Sequence, residues 1–304
     1  MQSLNRRQFI GSTLASSAAL AAGALWRPLA AEAAPTRYAG SEIVTLGRTG
    51  IKASRLAQGT GYNGSARHSD HTRMGFEAFD RLLRHGLDRG ISFIDMADLY
   101  GTHPFVQKVI KGLPRDKYVF LSKIWVRKEE WVTPSGGAKE EVDRFRKELD
   151  TDHLDVVLIH CTTDDQWTKQ YERVRDELSA LKEKGVVRAV GTSCHDLGAL
   201  KVAAAHPWVD LIFARINNQG GKDYMMDGTA DEVAAVLKQA RQAGKAVVGM
   251  KIFGAGKLVT SEQKDASLKY VFQNGLVDAI TIGMRKTDEV DDTMQRMGQV
   301  VRTA

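Results

Sequence analysis

Two spacings of apolar residues alternate along most of the chain. The run Leu154–Ile159 is apolar at almost every position, which is typical of a strand buried on both faces. Phe76, Phe79 and Leu83 instead recur at helical spacing, which predicts a helix over residues 74–88. Short strand-like runs on either side of residues 48–50 predict a hairpin. Further strands are expected near residue 56 and at 91–95, 118–123, 186–190, 209–214, 246–250 and 277–282, and further helices at 139–149, 171–184, 197–205, 230–243, 262–272 and 295–301.

After the hairpin, this pattern contains eight strand candidates, each followed by a helix. Eight such units over about 250 residues match the usual size of a closed barrel. We therefore predict an α/β protein, a single-domain (β/α)8 TIM barrel. A doubly wound sheet has the same alternation, but the eightfold repeat favours the barrel. Catalytic groups are then expected at the C-terminal ends of the strands.

The stretch Gly59–Gly64 reads GTGYNG and formally matches the glycine pattern of a Rossmann nucleotide-binding loop. That pattern requires a helix to begin at its third glycine, because the amides of the helix N-terminus hold the pyrophosphate. Here polar residues follow, and helical periodicity resumes only near Met74. The stretch therefore indicates a glycine-rich loop after a strand, and other residues must decide whether a nucleotide binds.

Residues 1–33 have the features of a targeting signal. An arginine pair, Arg6-Arg7, precedes an Ala-, Leu- and Gly-rich run, and Ala31-Glu32-Ala33 is an A-x-A cleavage site. The pattern resembles a twin-arginine export signal, so we expect the twin-arginine translocase to export residues 34–304 to the periplasm or the medium. An uncleaved membrane anchor and a chance arginine pair are the alternatives. The apolar run is short and rich in small residues, so stable membrane insertion of the mature protein is not expected.

The composition is that of an ordinary globular protein, with 43% hydrophobic and 26% charged residues in a chain of 304. The formal net charge is +6, and three arginines against one glutamate within residues 1–33 contribute +2 of it. The remaining charges alternate in sign along the chain. A nucleic-acid partner is therefore not indicated.

Polar side chains follow three neighbouring strand candidates. Asp95 ends the run Phe93-Ile-Asp95, with Tyr100 five residues later, while Lys123 and His160 end the next two strands. A phenol with its ordinary pKa near 10 is a weak acid at neutral pH, so we expect a lysine cation held by Asp95 to lower the pKa of Tyr100. His160 is expected to orient a carbonyl oxygen. Such a set suits protonation of an alkoxide as it forms.

The runs FIDMADLYG, SK and LDVVLIH, in this order and spacing, resemble the aldo/keto reductase family. The resemblance extends from the hairpin at residue 46 to residue 286, almost the whole mature chain. It implies that Asp95, Tyr100, Lys123 and His160 form a catalytic tetrad, with Tyr100 as general acid and a nicotinamide cofactor, NADP or NAD, as hydride donor. It also implies that the glycine-rich loop, with Gly59, Thr60 and Gly61 at its start, lies under the nicotinamide.

The resemblance implies further cofactor-binding positions. The segment Gly191-Thr-Ser193-Cys194 stands where the family usually has G-V-S-N, with the Ser and Asn holding the carboxamide. Phe213 replaces the usual glutamine of the sixth strand, and Met250 stands where an aromatic residue usually packs on the nicotinamide. The remaining implied positions are Lys251, Phe253, Gly254, Gly283, Arg285, Lys286 and Asp292.

The choice between NADP and NAD stays open at the sequence level. Arg285, Lys286 and Asp292 match the segment that the family uses around the adenosine 2'-phosphate. Glu289 stands in place of the family's arginine and Thr293 in place of its terminal asparagine. A glutamate repels a phosphate, whereas Arg285 and Lys286 attract one.

We predict an exported oxidoreductase that transfers a hydride between NAD(P)H and an aldehyde or ketone. The alternative is an exported nucleotide-binding or redox-sensing barrel with little or no turnover. A barrel hydrolase or isomerase lacks support, because no paired carboxylates or metal-ligand spacings are present, and no metal is expected. Cys161 and Cys194 follow adjacent strands, which suggests a disulfide hypothesis.

Overall fold

The computed structural model describes residues 36–126 and 137–303. The expected signal segment, 1–33, and the start of the mature chain at Ala34 lie outside the described residues. Within them, no helix is both long and apolar enough to cross a membrane.

Ten strands and ten α-helices make up the described chain. The strands are β1 (Ile43–Thr45), β2 (Lys52–Ser54), β3 (Leu56–Gly59), β4 (Phe93–Asp95), β5 (Val119–Trp125), β6 (Leu154–Thr162), β7 (Val187–Cys194), β8 (Leu211–Arg215), β9 (Ala246–Met250) and β10 (Ala279–Ile282). The helices are α1 (Asp70–Arg73), α2 (Phe76–Asp88), α3 (His103–Ile110), α4 (Ala138–Leu149), α5 (Trp167–Gln170), α6 (Glu172–Glu183), α7 (Leu197–Ala205), α8 (Ala230–Gln242), α9 (Ser261–Gln273) and α10 (Thr287–Met297).

Strands β3 to β10 are parallel and form one closed barrel in sequence order. The closure is made by β10 and β3, where Ile280 pairs with Leu56. The predicted (β/α)8 barrel is therefore confirmed, and the doubly wound sheet is excluded because the sheet has no open edge.

The predicted hairpin, β1 paired antiparallel with β2, closes the N-terminal end of the barrel. Leu46 and Ile51, at its turn, are fully buried in the same apolar cluster as the side chains inside the barrel. Gly47 has φ +48°, and a Cβ there would overlap the backbone of Ala246. Glycine is thus required where the turn meets β9.

Alternation along the strands creates two cores. Phe93, Leu121 and Leu158 fill the barrel interior, while neighbouring residues such as Ile94 and Phe120 face the helices and are equally buried. Burial on both faces explains why these strands appear as continuous apolar runs.

Several elements differ from the prediction, among them the last helix and two strands. The last helix spans Thr287–Met297 rather than 295–301, since Asp288 and Glu289 in its first turn complement the helix dipole. Strands β6 and β7 also extend beyond their apolar runs, because parallel pairing continues through Thr162 and Cys194 at the barrel mouth.

Candidate active site

The four residues of the predicted tetrad meet at the C-terminal mouth of the barrel. Asp95 ends β4, Lys123 and His160 lie near the ends of β5 and β6, and Tyr100 ends a 3-10 turn that follows β4. All four line one cavity of about 370 Å³, referred to below as the mouth cavity. Residues far apart in the chain converge here because parallel strands end at the same rim.

Lys123 and Asp95 form a buried ion pair. The Lys123 ammonium donates to Asp95 Oδ1 and, at 2.8 Å, to the Met96 carbonyl. The second carboxylate oxygen of Asp95 accepts from the Thr281 hydroxyl at 2.8 Å. Burial lowers the pKa of Lys123, and the Asp95 carboxylate opposes that shift. Asp95 thereby holds the lysine both in place and in its charged form.

Tyr100 and His160 face each other across the cavity, with 3.5 Å between Tyr100 Oη and His160 Nε2. Burial, together with the Lys123 cation, lowers the pKa of His160 well below 6.5. The imidazole is therefore neutral at physiological pH, with one N–H donor and one acceptor nitrogen.

The expectation of a lowered pKa for Tyr100 is wrong for this geometry. Burial, and then the Asp95 and Asp98 carboxylates, raise the pKa of Tyr100 well above 10. The lysine ammonium is bonded to Asp95 and lies over the phenol ring, 4.9 Å from the ring centroid. The neutral phenol is thus strongly favoured at rest.

Phe213 packs against the same cation. Its ring centroid lies 5.0 Å from Lys123 Nζ, so two aromatic rings contact the ammonium. A cation placed against aromatic faces is stabilised without a further hydrogen bond. Phe213, the residue that replaces the expected glutamine, therefore supports the Lys123 cation.

The glycine-rich loop packs against the tyrosine. A Cβ at Gly61 would overlap Cε2 and Cζ of the Tyr100 ring, and one at Gly64 would overlap Cδ1. Thr60, the residue before Gly61, turns inward, where its hydroxyl donates to the Asp95 carbonyl at 2.8 Å. The small residues predicted for this loop are needed to position Tyr100.

Asp98 is a site neighbour that was not among the predicted residues. Its side chain is 3% exposed and lies 4.0 Å from His160 Nδ1, which has no hydrogen-bond partner among the described residues. The backbone amides of Leu99 and Trp125 donate to the two Asp98 oxygens. Burial raises the pKa of Asp98 to about 7. The sequence could have indicated Asp98, because it is the second aspartate of the FIDMADLYG run.

Most of the predicted cofactor positions lie in the mouth cavity. The cavity extends from the tetrad past the ends of β9 and β10 to the first turns of α10. The predicted residues that line it are Gly59, Gly61, Ser193, Met250, Lys251, Phe253, Gly283, Arg285 and Asp292.

Four predicted positions do not line the cavity. Thr60 is occupied by its bond to Asp95, Gly254 begins a 3-10 turn beside the cavity, and Lys286 is exposed before α10. Cys194 is fully buried in the core between barrel and helices. Strand alternation turns Cys194 outward, and its neighbour His195 lines the cavity instead.

The two thiols are not bonded to each other. Burial raises the pKa of Cys194 to about 12, which makes its thiolate inaccessible near neutral pH. Within residues 36–126 and 137–303, no three His, Cys, Asp or Glu side chains are grouped to hold a metal ion.

The sequence did not single out several residues that line the cavity. Lys264, Thr281 and His195 are three of them, and His195 accepts from Arg215 at Nδ1. An arginine always donates, so this contact leaves the proton of a neutral His195 on Nε2. Nothing in the local sequence distinguishes these positions from ordinary surface residues.

The donors around the cavity fit a dinucleotide. Ser193 contributes a hydroxyl, and Lys251, Lys264 and Arg285 contribute cations between the tetrad and α10. Burial and the nearby Arg215 cation lower the pKa of Lys251. An anion beside Lys251 would therefore favour its charged form. A cavity with a proton-transfer set at one end and cations along its wall suits an anionic cofactor.

In closed α/β barrels, polar side chains that converge at the C-terminal mouth are typical of an enzyme active site. The model of the aldo/keto reductase family matches residues 56–299. The chain belongs to the aldo/keto reductase family.

Curated members of the family are similar to this chain at low identity and over only part of its length. Aldo-keto reductase YhdN of Bacillus subtilis is 28% identical over 165 residues, which cover 50% of this chain and 46% of that protein. The NADH-specific methylglyoxal reductase of Escherichia coli is 26% identical over 191 residues, 57% of this chain and 58% of that protein. The chain thus spans about half the length of these relatives.

Solved structures share the fold. The chain resembles the holo form of an aldo-keto reductase from Bacillus halodurans, with a TM-score of 0.65, 19% identity, and 86% and 92% of the two chains covered. An aldo-keto reductase from Klebsiella pneumoniae in complex with NADPH gives a TM-score of 0.62 at 20% identity, with 85% and 90% covered.

Proposed function

We propose that this protein is an NAD(P)H-dependent oxidoreductase that reduces an aldehyde or ketone, with Tyr100 as the proton donor. The observation that carries the proposal is the pairing of Tyr100 Oη with His160 Nε2 at 3.5 Å, beside the Lys123–Asp95 ion pair. A carbonyl oxygen placed against both groups would meet two potential hydrogen-bond donors.

The raised pKa of Tyr100 is compatible with this role. An alkoxide is about as basic as hydroxide and far more basic than a phenolate, so even a weakly acidic phenol protonates it favourably. Once the proton leaves, the Lys123 cation over the ring stabilises the phenolate. His160, kept neutral by burial, orients the carbonyl oxygen by hydrogen bonding.

The cofactor would be held by residues between the tetrad and α10. When bound, the nicotinamide supplies a hydride. Ser193 offers a hydroxyl for the carboxamide, Met250 an apolar wall, and Lys251 a cation near the tetrad. The names of two similar proteins support a nicotinamide, since one is NADH-specific and the other was solved with NADPH.

Substitution of Tyr100 by phenylalanine tests the proposal. Loss of the hydroxyl should lower kcat by about 10²- to 10⁴-fold, because that is the usual contribution of a general acid. Cofactor affinity, measured by fluorescence titration, should change by less than about threefold, since the ring and its contacts are kept. Steady-state rates with a panel of aldehydes and ketones provide the readout.

Tyr118→Phe is the matched control, because Tyr118 lies before β5, at the opposite end of the barrel, and should keep full activity. Equal turnover in Tyr100→Phe and wild type would reject the assigned role. Tight nucleotide binding by the wild type without turnover of any carbonyl would favour the nucleotide-binding or redox-sensing barrel.

Export through the twin-arginine pathway is a further part of the proposal. It is supported by the Arg6-Arg7 pair and the A-x-A site at residues 31–33. Replacement of both arginines by lysine should retain the protein in the cytoplasm, as judged by cell fractionation. Unchanged export of that variant would reject the pathway.

A further inference from the structure

One wall of the mouth cavity is built by α10 and the residues before it. Arg285, Glu289, Asp292 and Thr293 line it, together with Lys264 from α9. None of these residues belongs to the tetrad. If the nicotinamide lies at Tyr100, as the proposed function requires, this wall faces the adenosine half of the cofactor.

The donors at this wall are already engaged by carboxylates. The Arg285 backbone amide, just before α10, donates to Glu289 Oε2 at 2.7 Å. The Arg285 guanidinium pairs with Asp70 at 3.1 Å and lies over the Tyr62 ring, 4.7 Å from its centroid. Lys264 lies 4.0 Å from Asp292.

The charges that line this wall therefore cancel. Arg285 and Lys264 contribute two positive charges, and Glu289 and Asp292 contribute two negative ones. A phosphate monoester carries a charge of about −1.5 to −2 at neutral pH. To bind the backbone amide of Arg285, it would have to displace the Glu289 carboxylate and then remain close to it.

A ribose hydroxyl meets the same carboxylate favourably. A carboxylate accepts a hydrogen bond from a 2'-hydroxyl, which is how acidic residues select NAD over NADP in other dinucleotide sites. The amide contact fixes Glu289 in a position from which its other oxygen can accept that bond.

From these contacts we infer that Glu289 makes the adenosine end of the cavity selective for NAD(H) and against the 2'-phosphate of NADP(H). The inference rests on the proposed function for the orientation of the cofactor. In this inference Glu289 determines the choice between NAD(H) and NADP(H) and takes no part in proton transfer.

The test is calorimetric titration of the full-length chain with NADH and with NADPH. The wild type should bind NADH at least about tenfold more tightly, given the size of charge repulsion at short range. Glu289→Gln keeps an oxygen that can accept from the Arg285 amide but removes the charge. This variant should bind NADPH at least about fivefold more tightly than the wild type, with NADH affinity changed less than about threefold.

Asp288→Asn is the matched control, because Asp288 carries the same charge in the same helical turn but does not line the cavity. It should leave both affinities within about twofold, since exposed charges are screened. Tighter NADPH than NADH binding by the wild type, or an unchanged preference in Glu289→Gln, would overturn the inference. The Tyr100→Phe result would still stand in that case, whereas failure of both nucleotides to bind would overturn the proposed function as well.

Discussion

The two ends of the barrel each bury an aspartate, and the two aspartates have different partners. At the N-terminal end, Asp155 is 2% exposed and bonds Arg115, Arg188 and the backbone amide of Phe120. At the C-terminal end, Asp98 is 3% exposed and bonds two backbone amides, while the neutral His160 imidazole lies 4.0 Å away.

Asp278 repeats the arrangement of Asp155, with Arg241 at 2.8 Å and the Val247 amide at 2.9 Å. At the mouth, burial instead shifts the pKa values of Asp98, Tyr100 and His160 away from their ordinary ranges. Removal of one partner from a fully paired buried charge is strongly destabilising, whereas incompletely paired groups with shifted pKa values are typical of functional sites. We therefore call the N-terminal end, with Asp155 and Asp278, the structural end of the barrel, and the C-terminal end, with Asp98, Tyr100 and His160, its chemical end.

The largest expected effect concerns the structural end. Asp155→Ala should lower the free energy of unfolding by about 3 kcal/mol, because it leaves the Phe120 amide and two arginines without their partner. Urea denaturation measures this loss, and activity well below the melting temperature should not change. Asp152→Ala, at an exposed neighbouring position, should shift stability by less than about 0.5 kcal/mol. Equal stability of the two variants would remove the contrast between the ends.

At the chemical end, Gly61→Ala should lower kcat by about 100-fold, equivalent to about 2.7 kcal/mol, because the new methyl group displaces the Tyr100 ring. Single-turnover reduction of a carbonyl substrate measures the effect. The matched control is Gly86→Ala in α2, where a Cβ would make only ordinary contact with Ile91 at 3.7 Å. That variant should keep its activity and gain about 0.5–1 kcal/mol of stability. Full activity in Gly61→Ala would show that the position of Tyr100 tolerates movement.

A further expected effect is a pH dependence of stability. Burial raises the pKa of Asp98 to about 7 in the folded state, above its ordinary value of 3.8, so the folded protein retains a proton that the unfolded chain loses. The contribution of this group to stability is therefore present below about pH 4 and decreases as the pH rises to about 7. Asp98→Asn lacks this loss, so its stability relative to wild type should increase as the pH rises across that window. Urea unfolding at several pH values checks the slope, and a difference independent of pH would mean that Asp98 is ionised throughout.

Much of the site could be predicted because its residues follow strand ends at recognisable spacings. Asp95, Lys123 and His160 each lie at or near the end of a predicted strand, and parallel strands bring such ends together. Cys194 and His195 show where this reasoning fails. They are adjacent in sequence, and only the strand register decides that Cys194 faces the helices and His195 the cavity.

The pattern of apolar residues by itself determined the eightfold barrel, the hairpin and the strand ends that carry the tetrad, since burial on one or both faces imposes a period that is visible along the chain. Other properties depend on groups that are remote in sequence. The cation of Lys123 lies over Tyr100 and Phe213, and the carboxylate of Glu289 occupies the amide of Arg285. Only the tertiary structure decided these contacts, because the pKa of a buried group and the selectivity of a cavity depend on distances and burial in three dimensions.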